Sequence, residues 1–337
     1  MIISRTPFRV SFFGGGTDFP EWFENNGGAV LSTTINHYCY LTCRKLPHFF
    51  DHKHRIVYSK TETVSSIDDI QHPAVREALR HLQIPFGVEI HHAGDLPASS
   101  GIGSSSAFAV GLLMVLRHLI HSPLTRMELA REAILLEREL LQESVGLQDQ
   151  IACAFGGVNY IEFNRDSSID VIKLLLTDTM QEEIAERMIL VYSGQSRLSG
   201  SISEAFVDGI ASNKRSLGAL QELAPRGRAI FEQKKDLDEI GDLLDQAFHI
   251  KAKVNPLSVT SEIAGLYQFG RSKGALGGKV LGAGGGGFMM FWVKAGDRER
   301  FVASLSGRVV VPARIEHEGS VILFTDEKDD STNVDFR

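Results

Sequence analysis

The segment from residue 97 to residue 107 is the part of the sequence that most directly suggests chemistry. It reads PASSGIGSSSA and runs into an apolar stretch that predicts a helix over 105–121. Glycines let a backbone approach a ligand closely, and the free N–H groups at a helix N-terminus attract anions. We therefore predict a phosphate-binding loop, and a serine-rich loop with an ordinary helix cap is the alternative. The candidate binding residues are Pro97, Ser99, Gly101, Ile102, Gly103, Ser104, Ser105 and Ser106.

Two acidic residues follow that loop and are candidates for a second part of the same site. A helix is predicted over 125–143, because Thr125 and Glu128 form a capping box. Glu137 falls near the middle of the apolar arc of this helix, where a carboxylate is costly unless it is paired or bound to a cation. A Mg²⁺ ligand and a structural salt bridge are the two interpretations. Asp149 is predicted in a loop just beyond the helix, as a second site carboxylate or as a turn residue.

The glycine cluster 282–287 is a second candidate for binding phosphate. It matches the spacing of a dinucleotide-binding motif, but the apolar run after it is typical of a strand rather than a helix. We interpret it as a strand–loop–strand turn whose N–H groups face a phosphate or the first loop, with Gly284 and Gly285 as candidate substrate contacts. A purely structural glycine turn is the alternative.

The predicted strands and helices that position these residues indicate an α+β chain of two domains. Polar residues 166–168 and the acidic stretch 178–186 place a boundary between 1–178 and 179–337. The predicted strands are 5–13, 29–46, 55–58, 87–91, 158–163, 188–192, 279–282, 287–293, 308–311 and 320–324, and the further predicted helices are 200–221, 227–248 and 259–273.

Composition excludes several other functions. The net charge is −7 and no basic stripe is present, so we expect no nucleic-acid partner. The most apolar stretch, 107–116, is shorter than the ~18–20 residues of a membrane span, and we expect no membrane partner. Three cysteines and the lack of a signal-peptide pattern predict a cytoplasmic protein. A homodimer is left open.

The serine-rich loop, the two carboxylates and the glycine cluster, in this order, resemble the GHMP kinases, the family of galactokinase, homoserine kinase and mevalonate kinase. The resemblance spans nearly the whole chain. It implies an N-terminal domain like domain 2 of ribosomal protein S5, a ferredoxin-like C-terminal domain, and a site for ATP and Mg²⁺ between them. It also implies that Ser105 and Glu137 bind Mg²⁺, that Asp149 orients or deprotonates the acceptor hydroxyl, and that Arg9 is the cation beside Asp149.

The stretch 13–18, which reads FGGGTD, narrows the implied acceptor. Galactokinases have Gly-Glu-His-Thr-Asp there, so Asp18 matches while Gly15 and Gly16 replace the Glu and the His. The triple-glycine form is similar to the subgroup of heptose 7-phosphate kinases and L-fucokinases, which phosphorylate the anomeric hydroxyl. This resemblance implies that Gly15, Gly16, Thr17 and Asp18 contact the sugar.

The resulting hypothesis is phosphorylation of D-glycero-D-manno-heptose 7-phosphate to the 1,7-bisphosphate, for nucleotide-activated heptose and surface polysaccharide. A phosphorylated substrate needs a basic contact, for which Arg197, Arg5, Arg44 and Lys45 are candidates. A fucose- or galactose-type sugar kinase, or a catalytically silent sensor of sugar or ATP, are the alternatives.

Overall fold

Two long antiparallel strands form the centre of the first sheet. They are β1 (Ile2–Phe13) and β2 (Gly28–Lys45), in a computed structural model that describes residues 1–194, 200–233 and 235–326. Both strands are rich in β-branched and aromatic residues, which favour extended backbone. The second is one continuous strand, as one reading of the sequence predicted.

The first sheet has eight strands. The order is β12 (Val321–Thr325), β1, β2, β5 (Val88–Gly94), β3 (His54–Val57) and β4 (Thr61–Val64), while β6 (Val158–Phe163) pairs with β2 and with β7 (Ile169–Leu174). Only β3 and β5 are parallel among these pairs. Its helices are α1 (Pro20–Asn26), α2 (Pro73–His81), α3 (Ser104–Leu119), α4 (Arg126–Ile134) and α5 (Gln148–Phe155). Helix α3 is apolar and buried nearly all round, because it packs on β1 and β2.

The second sheet is antiparallel and has four strands, in the order β11 (Val310–Val311), β8 (Met188–Tyr192), β10 (Phe288–Trp292), β9 (Gly277–Val280). Helices α6 (Asp178–Arg187), α7 (Gly200–Gly209), α8 (Lys214–Glu232), α9 (Asp238–Val254), α10 (Ser261–Ser272) and α11 (Arg298–Ser304) complete this half. With helices between β8 and β9 and α11 between β10 and β11, the strand order is that of a ferredoxin-like β-α-β-β-α-β unit. The predicted α+β class is confirmed.

The last described strand returns to the first half of the molecule. Strand β12 pairs with the start of β1, Ile2 opposite Thr325 and Arg5 opposite Val321. Residues 321–325 therefore do not lie with the rest of the predicted unit 179–337. The boundary at 178/179 itself stays a prediction.

Three helix predictions need correction. The predicted helices 200–221 and 227–248 are three helices, α7, α8 and α9. Helix α8 continues through Pro225, because its buried stripe extends on both sides of the proline, from Leu217 to Phe231. The helix predicted over 125–143 ends as an α-helix at Ile134 and continues as a π-helix over Leu135–Leu140. No helix in the described part of the chain is long and apolar enough to cross a bilayer.

Helix α10 offers a matched pair of glycines that tests how closely it packs on the second sheet. A Cβ on Gly270 would lie 2.2 Å from the ring of the fully buried Phe291, whereas a Cβ on Gly265 meets nothing within 4 Å. We expect Gly270→Ala to lower the free energy of unfolding by ~1–3 kcal/mol through overpacking. Gly265→Ala should raise it by up to ~1 kcal/mol, since alanine is the better helix former. Chemical denaturation measures both, and equal effects of the two variants would contradict the packing described.

Candidate active site

One cleft between the two sheets collects the motifs that the sequence singled out. From the first half it is lined by Arg9, the turn 14–16, Asp18, Ser99, Gly101, Gly103–Ser106, Gln148 and Asp149. From the second half it is lined by Gly282, Ala283, Gly284 and Gly286. Of the predicted site residues, Ile102, Thr17, Glu137 and Gly285 are buried and do not line this cleft, and the exposed Pro97 does not line it either. Arg197 lies outside the described residues.

The serine-rich loop owes its shape to glycines at its two tightest points. Gly101 and Gly103 have φ values of +83° and +72°, and α3 begins directly after them at Ser104. A Cβ on Gly103 would lie 3.0 Å from Cγ of Arg9. The first turn of a helix leaves N–H groups without intrahelical acceptors, so the cleft here presents donors to an anion.

The second glycine cluster packs directly on the first loop. The N–H of Phe288 donates to the carbonyl of Ser100 at 2.9 Å. A Cβ on Gly101 would lie 2.5 Å from the carbonyl oxygen of Leu281, and one on Gly282 would lie 2.7 Å from Cα of Gly101. The expectation that the glycine cluster reaches the first loop is confirmed. This backbone-to-backbone contact is possible only because neither residue has a side chain.

Arg9 and Asp149 form a forked ion pair at the floor of the cleft. Nε of Arg9 donates to Oδ1 of Asp149 at 2.6 Å, and Nη2 donates to Oδ2. Nη1 of Arg9 donates to the carbonyl oxygen of Gly101. The backbone N–H of Arg9 donates to the carbonyl oxygen of Ile102 at 3.0 Å. Arg9 is almost fully buried, while 22% of the Asp149 side chain remains exposed. Asp149 lies in the first turn of α5 rather than in a loop, which corrects the sequence prediction.

Glu137 is buried on the π-helical segment, as the helical periodicity predicted. Oε2 accepts hydrogen bonds from Ser106 Oγ, at 2.7 Å, and from Gln150 Nε2, whereas Oε1 has no partner. Burial raises the pKa of Glu137 to about 7, although the hydrogen bonds from Ser106 and Gln150 act in the opposite direction. A free carboxylate oxygen beside the hydroxyl of Ser105 is a donor set that suits Mg²⁺.

Both carboxylate oxygens of Asp18 accept hydrogen bonds from neighbouring residues. Oδ1 accepts from the N–H of Gly16 at 2.8 Å, and Oδ2 accepts from the backbone and side-chain N–H groups of Gln148 at 3.2 and 3.1 Å. Burial, with a contribution from Asp149, raises its pKa. A Cβ on Gly146 would lie 2.0 Å from Oδ2, so Gly146 leaves room for this carboxylate.

Thr17 has a structural place beside Asp18. Its hydroxyl donates to the carbonyls of Gly14, at 2.8 Å, and Ala29, at 3.1 Å, and the side chain is fully buried. It therefore ties the turn after β1 to the start of β2 and does not face the cleft.

Several residues of the cleft were missed by the sequence analysis. They are Ser11, Gln148, Phe206, Lys251, Asn255 and Lys279. The signal that could have found Lys279 is its position in the otherwise apolar strand β9, three residues before the glycine cluster.

Three basic candidates from the sequence lie away from the cleft. Arg5 pairs with Glu318 at 3.1 Å, Arg44 pairs with Glu89, and Lys45 lies 4.8 Å over the ring of Phe86. None of the three lines the cleft.

Two family models match the chain. The model described as GHMP kinases N terminal domain matches residues 70–157, and the one described as GHMP kinases C terminal matches residues 219–310. Together they cover more than half of the chain, including the serine-rich loop, both carboxylates and the glycine cluster.

Curated relatives match over most of the chain. A D-glycero-alpha-D-manno-heptose 7-phosphate kinase of Campylobacter jejuni is 28% identical over 317 residues, which is 90% of this chain and 93% of that protein. A bifunctional fucokinase/GDP-fucose pyrophosphorylase of Arabidopsis thaliana is 24% identical over 321 residues, 87% of this chain but only 30% of that protein.

Solved structures share the fold. A D-glycero-D-manno-heptose 1-phosphate kinase of Bacteroides thetaiotaomicron superposes with a TM-score of 0.80 and 24% identity, covering 97% of this chain and 100% of that one. The galactokinase of Lactococcus lactis superposes with a TM-score of 0.74 and 17% identity, covering 96% of this chain and 95% of that one.

The raised pKa of Glu137 predicts how stability depends on pH. At pH values between the ordinary pKa of glutamate in the unfolded chain and about 7 in the folded chain, Glu137 keeps its proton in the folded state and loses it in the unfolded state. The free energy of unfolding therefore falls as pH rises through this window. A shift of that size corresponds to roughly 3 kcal/mol, lost by pH 8 and retained at pH 4.5. Glu137→Gln removes the ionisation and should therefore gain stability relative to the native protein as pH rises.

Denaturant unfolding at several pH values, without divalent cations, measures this difference. Glu139→Gln, at an exposed position of the same segment, is the matched control. Parallel stability curves for Glu137→Gln and the native protein would show that the Glu137 carboxylate is not perturbed as described.

Proposed function

Because this chain belongs to the GHMP kinases, we propose that it is an ATP-dependent kinase that phosphorylates the anomeric hydroxyl of D-glycero-D-manno-heptose 7-phosphate. The product is the 1,7-bisphosphate. The observation that carries the proposal is the Arg9–Asp149 pair, which lies in one cleft with an anion-binding loop and with the FGGGTD turn. The relative in Campylobacter jejuni, which carries the name of this activity, supports the choice of acceptor.

The serine-rich loop is the proposed binding site of the ATP phosphates. The N–H groups at the start of α3 and the hydroxyls of Ser104 and Ser105 face the cleft there. Ser105 and Glu137 are the proposed ligands of Mg²⁺, since Oε1 of Glu137 has no other partner. The ion, when bound, neutralises charge on the transferring phosphates.

Asp149 is the proposed group that acts on the acceptor. It accepts the hydrogen bond, and then the proton, of the C1 hydroxyl, whose oxygen bonds to the γ-phosphorus as the bond to the β,γ-bridging oxygen breaks and ADP leaves. Arg9 holds the carboxylate in one orientation through two hydrogen bonds. Most of the rate enhancement then comes from positioning and electrostatic stabilisation, as in other phosphoryl transfers.

The turn after β1 is the proposed sugar site. Gly15 and Gly16 leave the cleft open where side chains would fill it, and Oγ of Ser11 and Oε1 of Gln148 are polar atoms there without a partner. We propose that sugar hydroxyls bind to these atoms and that Asp18 orients Gln148 towards them. Gly284 lines the opposite side and contacts the substrate, whereas Gly285, whose N–H donates to Ser258 at 2.8 Å, supports that loop from behind.

The acceptor is tested by ADP release with Mg-ATP and a panel of heptose 7-phosphate, fucose, galactose, mannose and mevalonate. We expect turnover on heptose 7-phosphate to exceed that on every other acceptor. Preference for an unphosphorylated sugar would retain the kinase and reject the proposed acceptor. Bound ATP with no turnover on any of them would favour a sensor.

Asp149→Asn tests the proposed role of Asp149 as the proton acceptor. We expect kcat to fall by ~10²–10⁴-fold, because the acceptor hydroxyl loses its proton acceptor, while the dissociation constant of ATP changes little. Steady-state kinetics and calorimetry measure the two effects, with Asp242→Asn on the exposed side of α9 as the control. A folded Asp149→Asn variant that keeps more than a tenth of kcat would contradict the assigned role.

A further inference from the structure

Two lysines from the second half of the molecule reach into the cleft, and the mechanism above does not use them. Lys279 comes from β9 and Lys251 from α9. Lys279 is 93% buried, and its Nζ donates to the carbonyl of Phe12 at 3.2 Å. Lys251 donates to the carbonyl of Gly282 and, at 3.4 Å, to that of Val280.

Neither lysine has an acidic partner within ion-pairing distance in the part of the chain that the structure describes. The two carboxylates of the cleft are already occupied, Asp149 by Arg9 and Asp18 by Gly16 and Gln148. A buried ammonium group without an ion-pair partner is costly, so the presence of Lys279 in a ligand cleft needs an explanation.

The surroundings of the two lysine ammonium groups favour the binding of an anion. Burial, together with the positive charge of Arg9, lowers the pKa of Lys251 to about 8. Burial and the positive charges of Lys251 and Arg9 lower the pKa of Lys279 well below its ordinary value, and the Asp18 carboxylate acts in the opposite direction on both lysines. A bound dianion would reverse these effects, because it favours the charged form of each lysine. An ammonium has three donors, and Lys279 has only one acceptor among the described residues.

Lys279 lies on the side of the cleft where β1 ends, whereas Lys251 lies at Gly282, which packs on Gly101 of the serine-rich loop. Lys279 is anchored at Phe12, next to Ser11, whose unpartnered hydroxyl lies 3.4 Å from the place a Cβ on Gly15 would take. This is the side of the cleft assigned above to the sugar. The ATP phosphates have their own donors at the start of α3.

We infer that Lys279 and Lys251 bind the phosphate that the acceptor sugar already carries, with the hydroxyl of Ser11 beside them. This assignment rests on the proposed function and names the part of the site that distinguishes a sugar phosphate from a free sugar. It replaces the basic candidates Arg5, Arg44 and Lys45 of the sequence analysis with two residues that only the folded chain brings together.

Calorimetry on Lys279→Met and Lys251→Met tests the assignment with three ligands: heptose 7-phosphate, the unphosphorylated heptose, and a non-hydrolysable ATP analogue. We expect each variant to bind heptose 7-phosphate at least 10-fold more weakly, while the dissociation constants of the free heptose and of the nucleotide change less than 3-fold. Lys253→Met, at an exposed position of α9, is the matched control and should bind all three ligands as the native protein does.

Thermal unfolding of the unliganded variants separates binding from a structural role. Lys279→Met should be at least as stable as the native protein, because it removes an uncompensated buried charge. Lys279→Arg should retain part of the preference for the phosphorylated sugar. A loss of stability with unchanged selectivity between heptose and heptose 7-phosphate would show that Lys279 only ties β9 to β1, and would overturn the inference.

Two further outcomes of the calorimetry distinguish a failure of the inference from a failure of the proposed function. A parallel loss of nucleotide affinity would assign the lysines to the transferred phosphoryl group instead and reject the inference while the proposed function stands. If the native protein binds no heptose 7-phosphate, the proposed acceptor and the inference fall together.

Discussion

The site depends on one buried ion pair, that of Arg9 with Asp149. Arg9 is fixed in the centre of the first sheet by the strand pairing of β1, and its side chain contacts both α5 and the carbonyl of Gly101. One guanidinium therefore sets the distance between Asp149, the serine-rich loop and the strand that ends in the turn at residues 14–16. Removing Asp149 would leave the buried guanidinium of Arg9 uncompensated, which is why this interaction constrains the rest of the cleft.

The second constraint is the close approach of two glycine-rich loops. Gly101 and Gly282 meet backbone to backbone, and both adopt positive φ values that other residues rarely take. This contact joins the two sheets at the edge of the cleft. The hydrogen bond from the N–H of Phe288 to the carbonyl of Ser100 joins strand β10 of the second sheet to the serine-rich loop. At this edge the second half of the molecule closes the cleft with main chain.

Around these contacts the cleft holds charges that the fold alone would not favour. Glu137 has one carboxylate oxygen without a partner, Asp18 is buried beside Asp149, and Lys279 has no ion-pair partner among the described residues. Each of them lowers the stability of the unliganded protein, and each is in a position to interact with a cation, a sugar or an anion. Such groups are expected in sites whose ligands complete the electrostatic balance.

The sequence by itself determined the features that depend on neighbouring residues: the capping box at Thr125, the glycine loops at the ends of strands, the apolar arc that buries Glu137, and the motif order that resembles the GHMP kinases. Local backbone preference and periodicity are properties of short segments, so they are readable without a fold. Only the tertiary structure decided that Asp149 lies in a helix, that α8 passes through Pro225, that β12 joins the first sheet, and that two lysines enter the cleft. These outcomes depend on burial and desolvation by residues distant in the chain, which no local pattern encodes.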